Sequence, residues 1–309
     1  MTTLPQDVAL PSFVCPSCRG PLLLNTQEFQ CESCNMRFEF EDGFPNLILG
    51  GRFDDEPNAE LTAYEEECNL HTAQNYFLPL FKQMFSAHRG TPRILSLGCG
   101  TGVDVDILSA AGFEVIGIDC GARSCAWPNR EYGHRLLLAN GKNLPFETGS
   151  FDAVYCGCVF PHVGTVGDSH QVRPEYLEER HQLAGEMGRV LRKGGHVVVS
   201  SPNRNFPLDI FHGRSKEHPL PRVNASNDPF LLSYGDYQQL FRPADCSRFQ
   251  LLPVTGYWGF VRRKKSLKGR LSMLPVEAVF NLVSRPGLSG LRNSSINPWL
   301  VVLGTKATA

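Results

Sequence analysis

The stretch RILSLGCGTGVDVDILSAAGFEVIGIDCG, Arg93 to Gly121, decides the fold. RILSL is a short apolar strand, VDVDILSAAG reads as a helix stopped by Gly112, and FEVIGID is the next strand. Strand, helix and strand in this order make a βαβ unit with a parallel pair, so an α/β fold is expected. Gly98, Gly100 and Gly102 sit at alternate positions in the first turn, where backbone can come close to a ligand.

Spacing separates the ligands that such turns hold. A dinucleotide turn, G-x-G-x-x-G/A, needs a small third residue for close helix–strand packing, and here that position is Val103. A P-loop needs Lys-Ser/Thr after the glycines, and none follows. What remains is G-x-G-x-G after a strand, with Asp119 closing the second strand.

That pattern resembles the class I S-adenosylmethionine methyltransferases. Three further segments carry the resemblance in order. NGKNLPFETGSFDAVYCGCVFPHV (140–163) is similar to the family's loop and fourth strand, and EMGRVLRKGGHVVVSSPN (186–203) to its helix, Gly-Gly turn and fifth strand. NPWLVVLGTK (297–306) is similar to its last, antiparallel strand. The resemblance covers roughly residues 60–309 and is nearest the quinone-biosynthesis-like enzymes that act on small molecules. It implies a Rossmann-like seven-stranded sheet. It also implies S-adenosylmethionine contacts at Gly98, Cys99, Gly100, Gly102, Asp119, Cys120, Asn140, Gly141 and Cys158. The glycine amides would meet the methionine part, and the Asp119 carboxylate would accept both ribose hydroxyls. The family's adenine-reading residue is usually Asp; Asn140 stands there, and its side-chain oxygen still accepts from an amine.

Ahead of this domain, Cys15-Pro-Ser-Cys18 and Cys31-Glu-Ser-Cys34 are two knuckles twelve residues apart. Each aims two thiolates at one point, and four soft sulfurs suit Zn²⁺ with no open position, which is a structural site. Residues 11–50, including Gly20 and the closing DGFPNLI, resemble the small zinc-ribbon proteins that bind and activate methyltransferases. Those pack on a catalytic partner through apolar residues; here the partner would be the rest of the chain. The expected organisation is a ribbon at 11–50, a linker with helices at 51–90 and the catalytic domain at 91–309. The seven other cysteines lack ligand spacing and read as buried thiols, with Cys156 and Cys158 on one face of a strand.

Methyl transfer from a sulfonium needs an aligned nucleophile, exclusion of water and, for a hydroxyl acceptor, a base. His162 follows the fourth strand and is the expected base, since neutral imidazole suits that task. His181 reads as an ordinary helix residue, on a helix with Pro174 in its first turn. Residues 202–232 form a long connector with interleaved aromatic and basic residues, expected to be a substrate lid bearing Arg204, His212 and His218.

Between the last two strands, residues 262–292 carry eight basic residues and the single acid Glu277. Leu267, Leu271, Leu274, Ala278 and Leu282 recur at helical spacing, with Pro275 able to start a second helix. A helix pair lying on the core is the first expectation; an active-site cover, an anionic-substrate surface and a peripheral membrane contact are the others.

The expected activity is methylation of a hydroxyl on a small molecule, glycan or lipid-linked intermediate. The rival is a ribosomal RNA base methyltransferase, some of which also carry a zinc module. Charge argues against nucleic acid: residues 1–70 hold thirteen Asp/Glu and three Lys/Arg, and net charge is −1. The first residues have neither the basic start nor the apolar run of a signal peptide, so a cytoplasmic location is expected.

Overall fold

The computed structural model describes residues 13–25, 28–53, 55–167, 169–209, 211 and 222–308. The first four strands, β1 (Leu22–Leu24), β2 (Glu28–Cys31), β3 (Arg37–Glu41) and β4 (Phe44–Pro45), form an antiparallel sheet in that order. Both knuckles turn alike: Arg19 N–H returns to Cys15 O at 2.8 Å and Asn35 N–H to Cys31 O at 3.0 Å. A side chain at Gly20 would begin 2.3 Å from Ser33 Oγ, so the close approach of the two knuckles requires glycine there.

Asn58 caps α1 (Ala59–Thr72) by accepting from Leu61 N–H at 2.9 Å. A π-helical turn over Ala73–Phe77 carries α1 into α2 (Leu78–Met84). Next come β5 (Arg93–Leu97), α3 (Val103–Ala110), β6 (Glu114–Asp119), β7 (Leu136–Leu138), β8 (Phe151–Gly157), α4 (Tyr176–Val190) and β9 (Leu191–Pro202). The short pair β10 (Leu208–Asp209) and β11 (Arg222–Val223), α5 (Tyr234–Phe241), β12 (Cys246–Leu251), α6 (Leu267–Ser284) and β13 (Trp299–Lys306) complete the chain.

The large sheet has seven strands in the order β12-β13-β9-β8-β5-β6-β7. β5 to β9 pair in parallel, and β13 runs antiparallel to both of its neighbours. This is the expected α/β, Rossmann-like sheet with an antiparallel last strand. Alternation divides the core between two faces. Val154 and Cys156 of β8 join Phe146, Met187 and Leu240, while Ala153 and Tyr155 join Phe81, Val105 and Phe280.

The ribbon is part of the first of these clusters, through Cys15, Phe29, Phe38 and Leu47. The Phe13 ring lies between Phe29 and Phe146, at 5.7 and 5.9 Å. Val14 N–H donates to Pro145 O at 3.0 Å and Leu47 N–H to Leu138 O at 2.7 Å, and Asn46 runs parallel beside Leu138 of the outer strand β7.

Three local expectations are corrected. Pro174 precedes the Glu175 cap of α4 and lies outside its first turn. Pro275 starts no second helix; α6 runs through it for 18 residues. Its regularly spaced leucines face solvent, and Met273, Phe280 and Val283 are the buried residues. No helix among the described residues is long and apolar enough to cross a membrane.

Candidate cofactor cleft and metal centre

The turn after β5 is left-handed at Gly98, Gly100 and Gly102, with φ of 71°, 54° and 75°. A Cβ on Gly98 would stand 2.5 Å from a methyl of Val159, which locks glycine at the point where two loops meet. Gly98 and Cys99 N–H both donate to Ile118 O, at 2.9 and 3.0 Å, fixing the turn against the end of β6. One residue on, Asp119 receives Gly100 N–H at 2.8 Å on one oxygen and Gly121 N–H at 2.7 Å on the other. A carboxylate offers about four lone-pair positions, so two remain for a ligand with paired hydroxyls. Burial pushes the Asp119 carboxyl above the usual range, against the pull of those two amides. Thr101 adds a second opening: its hydroxyl is fully buried and has no hydrogen-bond partner among the described residues.

The other expected contacts fall as follows. The Cys99 side chain is buried beside Gly117 and Val105 in the core, so only its backbone faces the turn. Cys120 is half-buried, and burial together with Asp119 pushes its thiol up to about 11. Asn140 Oδ1 accepts Lys142 N–H at 3.0 Å, shaping its own loop. A side chain at Gly141 would meet Leu183 at 2.7 Å, so packing on α4 demands glycine there. The expectation that Cys156 and Cys158 share one strand face is corrected: β8 ends at Gly157, and Cys158 turns left-handed at φ 55°.

His162 sits in a short turn after β8 (Phe160–His162), edge-on to Phe53 at 6.2 Å and Phe230 at 5.4 Å. His181 is exposed on α4, an ordinary helix residue. Arg204 pairs with Asp236 at 2.8 Å, in the capping box of α5, so its charge is neutralised within the fold. His212 and His218 lie outside the described residues.

Two features were missed from sequence. Trp127, fully buried, donates its indole N–H to Gly100 O at 2.8 Å, and Phe44 of the ribbon packs edge-on against it at 5.2 Å. Second, residues 51–53 and Asp55 form a strap across the same strand ends. Asn140 Nδ2 donates to Gly51 O at 3.5 Å, Phe53 N–H to Cys120 O at 3.1 Å and Ala122 N–H to Asp55 at 2.9 Å. Arg123 fastens the strap, bound to Asp55 at 3.2 Å and Glu65 at 2.6 Å. An isolated Trp just beyond the acid-terminated strand was the one visible signal.

In the ribbon, the sulfurs of Cys15, Cys18, Cys31 and Cys34 all lie within 4.8 Å of one another, with Cys15–Cys34 at 3.7 Å and Cys18–Cys31 at 3.4 Å. Four convergent thiols of this kind could hold a soft or borderline divalent ion.

Residues 95–199 match the family model of a methyltransferase domain. The chain is similar to a probable S-adenosylmethionine-dependent methyltransferase of Mycolicibacterium smegmatis, 30% identical over an alignment of 153 residues that covers 46% of this chain and 54% of that protein. It is similar to a ubiquinone biosynthesis O-methyltransferase of Aromatoleum aromaticum, 26% identical over 163 residues, covering 51% of this chain and 61% of the other. Among solved structures, phosphoethanolamine N-methyltransferase 2 of Haemonchus contortus with S-adenosyl-L-methionine aligns at TM-score 0.44 and 18% identity, covering 76% of this chain and 52% of that one. The chain spans about half the length of the first curated relatives it matches.

Proposed function

We propose, from the class I S-adenosylmethionine-dependent methyltransferase domain that this chain carries, that it methylates a hydroxyl of a small-molecule, glycan or lipid-linked acceptor. The observation that carries the reading is Asp119, held by the amides of Gly100 and Gly121 with lone pairs to spare beside a glycine-rich turn. These residues fit the cofactor. Asp119 would take the ribose hydroxyls, the Gly98–Gly102 turn the methionine part, and the loop at Asn140 the adenine. When bound, S-adenosylmethionine supplies a methyl group already activated by its sulfonium.

The chain then has to place the acceptor oxygen in line, keep water out and take up the hydroxyl proton. His162 is the proposed base, steadied by Phe53 from the strap and Phe230 from the foot of the lid. A likeness to O-methyltransferases of quinone biosynthesis supports the hydroxyl acceptor.

The ribbon is proposed to hold one structural Zn²⁺. Sulfurs placed tetrahedrally about Zn²⁺ at ~2.3 Å are separated by roughly 3.8 Å, and the two close pairs here, at 3.7 and 3.4 Å, are near that spacing.

The test is incubation of the chain with methyl-labelled cofactor and fractionated small-molecule and lipid extracts. A labelled product one methyl group heavier than an extract component supports the reading. Failure to bind the cofactor by calorimetry would remove it. Label recovered only in RNA would move the chain to the rival class.

A further inference from the structure

Helix α6 is apolar on two opposite faces. Met273, Phe280 and Val283 are buried, with Val276 and Val279 packed against the core beside them. Leu267, Leu271, Leu274 and Leu282 point the other way and remain 73, 59, 55 and 37% exposed. Ala278, also exposed, lies in the same row. At 3.6 residues per turn these five share a stripe roughly 80° wide. The inward face explains how the helix is held; an outward row of leucines is a contact surface.

Charge indicates what it contacts. Lys268 and Arg270 flank the stripe on either side, Arg263 precedes it and Arg285 follows, all four exposed and without a carboxylate partner among the described residues. The only acid in the segment, Glu277, is paired with Lys264. Arg262 and Lys265 are tied to Glu67 of α1, at 3.5 and 3.1 Å. Two residues further along α1, the Asn69 amide stands 3.7 Å from where a Gly100 side chain would begin. The stripe is thus joined through α1 to the cofactor cleft. A second copy docked on this face would set like charges against each other.

We propose that α6 is an interfacial helix that seats this chain on an anionic lipid surface. The leucine row enters the acyl boundary, and Arg263, Lys268, Arg270 and Arg285 meet the headgroups. The contact sets the mouth of the cleft beside the bilayer.

Flotation of the full chain with vesicles tests this, using phosphatidylcholine alone and phosphatidylcholine mixed with phosphatidylglycerol. Wild type should float with the mixed vesicles and stay behind with the neutral ones. L271N/L274N should bind at least about tenfold more weakly, since each leucine buries apolar surface on docking. K268E/R270E should lose a similar factor. Both variants change exposed side chains, so their melting temperatures should match wild type. Absence of flotation at low salt, or a leucine variant that floats like wild type, overturns the proposal. A wild-type dimer that L271N/L274N turns into a monomer, with no vesicle binding by either, assigns the stripe to a second copy instead. Cofactor binding is measured separately, so loss of the methyl-transfer reading leaves this result standing.

Discussion

The indole of Trp127 is bonded to the carbonyl of Gly100 at 2.8 Å, on the inner side of a turn that glycine leaves intrinsically loose. The bond fixes one peptide of the turn, and the neighbouring amide is the one that Asp119 receives. Trp127→Phe keeps most of the buried ring and removes only the donor. A net hydrogen bond of about 0.5–1.5 kcal/mol corresponds to a cofactor bound roughly two- to tenfold more weakly. Titration calorimetry checks this; unchanged affinity would mean that the bond does not shape the turn.

Asp119→Ala removes the proposed ribose acceptor and leaves the Gly100 and Gly121 amides without their carboxylate. Charge-assisted bonds of ~1.5–3 kcal/mol imply roughly ten- to hundredfold weaker cofactor binding. The pH dependence has a definite sign. Burial raises the Asp119 pKa, so on acidification its acceptor carboxylate is protonated at a higher pH than an ordinary aspartate. Cofactor affinity should therefore weaken with falling pH sooner than an unperturbed carboxylate would dictate. Calorimetry across an acidic series reads both effects, and a flat series would remove Asp119 from the ribose site.

Fresh protein should contain one zinc per chain, and Cys31→Ser should release it. A module this small gains much of its folding free energy from its metal. The ribbon also reaches the cofactor turn through Phe44 and Trp127. Metal loss should therefore lower both the melting temperature and cofactor affinity. Elemental analysis with no stoichiometric zinc would dispose of the ribbon assignment; zinc loss with unaltered cofactor affinity would dispose of the link.

His162→Ala should depress turnover by ~10²–10⁴, the usual worth of a general base, with cofactor affinity intact. Its ring touches Phe53 and Phe230, so a purely packing role would appear as lower stability and weaker substrate binding instead. Near wild-type turnover in the variant would send the search for a base elsewhere.

Much of this was legible because it is local. The strand–turn–helix–strand at Arg93–Gly121 and the two knuckles declare themselves through spacing, which neighbours in sequence enforce. Trp127, the strap at Phe53 and Asp55, and the pairing of Arg204 with Asp236 depend on segments that meet only after folding. Periodicity in α6 marked a helix correctly but not its orientation. A leucine row at helical spacing is the same string whether it faces the core or the solvent, and here the second apolar row, Met273, Phe280 and Val283, takes the core.

The margins of the large sheet have a bearing on how copies of this chain meet. An outer strand with bare amides and carbonyls invites another chain to add itself, the common route to aggregation. At one margin, the residues following the ribbon's last strand lie along Leu138 and take up its carbonyl. At the other, β12 loses register between Ser247 and Gln250, where Arg248 turns to φ 51°. A bulge of this kind twists an edge away from a straight partner. Strand addition is thus obstructed on both sides, and if the proposed zinc holds the ribbon, its chelation would loosen the ribbon and uncover one of them. Turbidity on metal removal is then a symptom of sheet-edge exposure as much as of unfolding.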